Sequence, residues 1–63
     1  MTDDQEMIQT AYANALGKLY AELFDEYTQA GGDTAEEQQA DHRFTTGLSL
    51  ARKSRDRALA LVA

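Results

Sequence analysis

The chain has no cysteine, no proline and no tryptophan, and its only histidine is His42. Each absence closes a route. Without cysteine there is no disulfide to staple a small fold, and one histidine alone makes no ordinary structural zinc centre. A carboxylate-bridged di-iron bundle needs a glutamate three residues before its histidine, where this chain has Gln39. On a helical wheel His42 also lies away from the apolar stripe, so it is expected at the surface. Without proline, nothing breaks a helix from within. β-Branched residues are scarce, chiefly Ile8, Val62 and a handful of threonines, which disfavours a sheet. The longest apolar run, residues 58–63, falls far short of the ~20 residues that span a bilayer. The acidic start Met1-Thr2-Asp3-Asp4 is unlike the basic opening of a secretory signal. A cytoplasmic protein with no membrane partner is expected.

Motifs for catalysis are missing as well. Gly17-Lys18 lacks the earlier glycine and the following Ser or Thr of a phosphate loop, and no nucleophile stands in a pattern with His42. The carboxylates fall on outward helix faces, where solvent keeps them ordinary. Neither an enzyme nor a cofactor is expected.

Helix formers are what remain. Ala, Leu, Glu, Gln and Arg dominate the 63 residues, and these side chains lose little freedom in a helix. Thr2 with Gln5, or Asp3 with Glu6, fits a helix start. Apolar residues then recur at Ile8, Tyr12, Leu16, Leu19, Leu23, Tyr27 and Ala30, an eleven-residue repeat close to that of a straight helix. Gly31-Gly32 reads as a stop, with Gly31 in the left-handed conformation. Asp33 or Thr34 can cap a second helix, and Thr34 with Glu37 has the capping-box spacing. Phe44, Leu48, Ala51, Arg55, Ala58 and Val62 follow in a heptad-like seam that Leu59 widens.

The expected fold is therefore all-α, one unit over residues 1–63: a helix over about 3–30, a turn at 31–33 and a helix over about 34–62. Each helix is ~42 Å long at 1.5 Å per residue. A short loop makes long helices antiparallel neighbours. Pairing about the turn predicts Leu16 near Leu48, Tyr20 near Phe44 and Ile8 near Arg55. The tyrosines Tyr12, Tyr20 and Tyr27 with Phe24 read as core side chains whose hydroxyls reach the rim.

Charge is uneven. Residues 1–41 hold ten of the eleven acids and a single base, Lys18, whereas residues 42–63 hold Arg43, Arg52, Lys53, Arg55 and Arg57 against Asp56 alone. The hairpin would set its basic end beside Asp3, Asp4 and Glu6, in keeping with both helix dipoles. Arg55 interrupts the apolar seam, so its stem should cover the core while its head meets Asp4, Glu6 or an acid of another chain. The basic side chains Arg52, Lys53, Arg55 and Arg57 point all round the helix instead of forming one face, and the net charge of −5 opposes binding to nucleic acid.

A second stripe runs along each helix: Ala13, Gly17, Tyr20 and Phe24 on the first, Leu50, Ser54, Arg57 and Leu61 on the second. One partner helix covers a stripe roughly 100° wide, so a lone hairpin would leave Phe24, Leu50 and Leu61 wet. Burying both stripes against a twin predicts a homodimer, an antiparallel four-helix bundle. The function expected is a small non-enzymatic protein-interaction module (a regulator, adaptor or minor subunit) that binds itself and an unidentified protein. The alternative is a nucleic-acid-binding regulator that uses a bundle face with the Arg-rich C-terminal end.

Overall fold

A computed structural model describes residues 3–63 of the chain. Helix α1 runs Asp3–Ala30 and helix α2 runs Thr34–Val62. They lie antiparallel in a rod whose Cα atoms extend 46 × 15 × 9 Å, a single layer two helices wide. The capping role expected of Thr2 falls outside the described residues.

The turn depends on its two glycines. Gly31 has φ 57° and Gly32 has φ 90°, both in the region that a β-carbon disfavours. The loop closes through Asp33 N–H donating to the Ala30 carbonyl at 3.0 Å. Asp33 then caps α2: its Oδ1 accepts from Glu36 N–H at 3.1 Å. Thr34 is consequently the first residue inside the helix, and the Thr34–Glu37 box does not form. An aspartate already in extended backbone (φ −71°, ψ 114°) occupies the capping position one residue earlier.

The seam between the helices keeps an eleven-residue repeat on α1 and is heptad-like on α2. Half-buried Ile8, Tyr12, Ala15, Leu19, Leu23 and Glu26 lead to Ala30 on α1, and Glu37, Ala40, Phe44, Gly47, Ala51, Arg55 and Ala58 answer on α2. Its register differs by about one helical turn from simple counting about the glycines. Arg55 stacks on Tyr12 and shares a groove with Ile8, and Leu19 packs on Gly47, where an added β-carbon would lie 2.5 Å from Leu19 Cδ2. The cause is the first turn of α2: Thr34, Ala35 and Glu36 are all exposed while the chain reverses, and the seam begins only at Glu37.

The aromatic side chains are correspondingly displaced. Tyr12 stays in the seam, but Tyr20 is 63% exposed and Tyr27 is 38% exposed, while Phe44 lies by Leu19 and Leu23. Glu26 takes the seam position expected for Tyr27. Only Ala30 and Ala40 are buried among the described residues, and no large side chain is fully enclosed.

Candidate interaction surfaces

Two polar clasps bridge the helices near the turn. Tyr27 donates its hydroxyl to Asp41 Oδ1 at 2.5 Å, and Arg43 Nε donates to Glu26 Oε2 at 2.7 Å. The hydrogen bond to Asp41 raises the Tyr27 pKa from 10 to about 12, helped by partial desolvation and by the charges of Asp41 and Glu37. At neutral pH that hydroxyl is a fixed donor.

Near the open end, the Arg55 guanidinium carbon lies 4.4 Å from the centre of the Tyr12 ring. The same guanidinium pairs with adjacent Asp56 at 2.9 Å, not with Asp4 or Glu6. The seam puts the head of Arg55 over Tyr12, where the ring face and the next residue's carboxylate satisfy it. Among the described residues, no ion pair joins the basic segment to the N-terminal acids; the pairs present are Arg43–Glu26 and Arg55–Asp56. Beside the stack is a shallow groove of about 390 Å³, walled largely by Ile8, Ala11, Ala15, Ala51 and Ala58.

All eight residues of the two second stripes are exposed: Ala13, Gly17, Tyr20, Phe24, Leu50, Ser54, Arg57 and Leu61. Phe24 at 61%, Leu50 at 60% and Leu61 at 67% are as open as the width of one seam requires. Tyr20 and Phe24 form a tilted aromatic pair with centroids 6.5 Å apart. The hairpin does not bring the two stripes together. Tyr20 lies one heptad before Tyr27, which marks the Asp41 side of the rod. Leu50 lies one heptad after Arg43, which marks the opposite, Glu26 side. The stripes therefore look out from opposite broad faces, and one two-fold contact covers one of them, not both. The signal was in the numbering. Tyr20 and Phe24 each follow a seam residue, whereas Leu50 and Leu61 each precede one, and in antiparallel helices those offsets face opposite ways.

The accessible surface is 4800 Å². A compact monomer of 7.0 kDa is expected to expose roughly 4,000 Å². The excess, about 800 Å², is close to what one partner removes from water in a standard protein interface.

Other surfaces carry less. His42 is exposed, and among the described residues no group of three or more His, Cys, Asp or Glu side chains is placed to hold a metal ion. No described helix is long and apolar enough to cross a membrane. Compared with known protein families, curated proteins and solved structures, the chain matches none.

Proposed function

We propose that this chain is a small protein-interaction module with no reaction of its own. In this reading it works in the cytoplasm as a homo-oligomeric helical bundle and keeps its remaining face for a larger protein. One observation carries the reading: two alanines are buried, while Tyr20, Phe24, Leu50 and Leu61 are 60–67% exposed. Full burial of a large apolar side chain contributes roughly 1.5–3 kcal/mol. A hairpin that encloses none of them has little to set against its conformational entropy, and a second copy supplies the missing contact. Two apolar faces pointing opposite ways also suit an adaptor, because self-association through one leaves the other accessible. Sedimentation equilibrium at tens of micromolar tests the reading: a mass near twice 7.0 kDa supports it, and a well-folded monomer refutes it.

Nucleic-acid binding has exposed Arg52, Lys53 and Arg57 in its favour. Against it stands the net charge of −5, which repels phosphate at a distance. Labelled duplex DNA and structured RNA should remain unbound at micromolar protein and physiological salt. Binding lost in Arg52→Ala with Arg57→Ala would reverse this ordering.

A further inference from the structure

We infer that the Tyr20–Phe24 face is the self-association surface, and that two copies meet on it with their turns at opposite ends. The inference rests on the self-associating reading above and adds the face, the orientation and the residues that fit.

The rod is electrically lopsided. Between residues 19 and 45, the half that contains the turn, seven carboxylates face only Arg43, a net charge of −6. The open-end half, residues 1–18 and 46–63, has five cations against four carboxylates, a net charge of +1. Two hairpins sharing one face through a two-fold axis have two arrangements. With turns together, two halves of −6 lie side by side. With turns apart, each −6 half lies on a half of +1, and Arg52 and Lys53 approach the partner's acidic end.

Shape selects the same arrangement. Along α1 this face reads small, small, large, large: Ala13, Gly17, Tyr20, Phe24. With turns apart, α1 crosses its own copy antiparallel, and an axis between residues 18 and 19 sets Phe24 over the partner's Ala13 and Tyr20 over the partner's Gly17. Both rings are free to insert, being more than 60% exposed. Gly17 is free to receive one, since nothing lies within 4 Å of where its β-carbon would be. The surface excess of about 800 Å² is the size one partner loses in a standard protein interface.

The chain's lack of cysteine allows a clean test. A spin label on Ala35→Cys, an exposed site in the first turn of α2, reports the separation of the two turns in the full-length protein. Turns apart predicts about 40 Å, from the 1.5 Å rise per residue; turns together predicts about 10–25 Å. In parallel, Gly17→Leu should keep its helical circular dichroism, because leucine is the better helix former, yet weaken the dimer at least about tenfold. Phe24→Ala should weaken it too, while Leu50→Asp on the opposite face should not. A dimer with the short distance, or one indifferent to Gly17→Leu and Phe24→Ala, overturns the inference and leaves self-association standing. A monomeric wild type overturns both.

Discussion

Beside the turn, the helices are held by polar contacts around two buried alanines; at the open end, they meet through one arginine stacked on one tyrosine above an alanine-lined groove. Leaving Gln5 aside, both side-chain hydrogen bonds between described residues of the two helices belong to the turn half. The contrast reflects side-chain size. At Ala30 and Ala40 small residues let the backbones close until no space is left. At Ala11, Ala15, Ala51 and Ala58 the same residue type leaves a trough, bordered by Ile8, Tyr12 and Arg55 but not filled by them. The turn half is closed by the chain itself, and the open half is not.

Substitutions can break that contrast at either end. The largest effect is expected at Gly32, whose φ of 90° no L side chain adopts comfortably. Gly32→Ala should cost about 1–3 kcal/mol, and Gly31→Ala about 1 kcal/mol, by chemical denaturation. Equal stability in both variants would mean that the chain does not reverse there. Next is Arg55→Ala, which removes the Tyr12 stack and the stem that covers the groove. A loss of about 1 kcal/mol is expected, with faster amide exchange in the first and last turns of the rod than near Ala30. Glu26→Gln comes third. Its pair with Arg43 is only partly shielded, at 32% and 58% side-chain exposure, so screening by solvent limits the loss to under about 1 kcal/mol.

The smallest effect is one of pH. The Tyr27 pKa of about 12 in the folded state lies above its unfolded value of 10. Its contribution is therefore complete below pH 10 and is lost as pH rises from 10 to about 12. Tyr27→Phe should therefore lower stability by a constant amount across pH 6–9, and it should remove the tyrosine step near pH 12 from an ultraviolet titration. The absence of any tyrosine step near pH 12 in the wild type would show that the clasp to Asp41 is not made.

Much of the fold was legible because independent signals agreed. Proline is absent, the apolar period is helical, and Gly31-Gly32 is followed at once by a capping aspartate. The register was less legible. The apolar arc of α1 is wide enough to offer two seams, one with Tyr27 and one with Glu26, and only the geometry of the reversal chooses between them. Which of Asp33 and Thr34 caps α2 turned on one residue of loop length. The partners of Arg55 were missed because charge counting across the hairpin looked to Asp4 and Glu6, whereas the head found the adjacent Asp56 and the face of Tyr12. The opposed stripes could have been read from their offsets to the seam. Hydropathy alone ranks Phe24 and Leu50 alike and says nothing of the side each one faces.

Among the described residues the hairpin encloses no large side chain, and the proposal is that a second copy completes it. Thermal unfolding followed by circular dichroism over about a hundredfold range of concentration tests it most directly, because a dimer melts higher as mass action favours association. The melting temperature should rise with concentration, and helicity should be lost on dilution. One sharp transition at the same temperature throughout, from a species of 7.0 kDa, would contradict it.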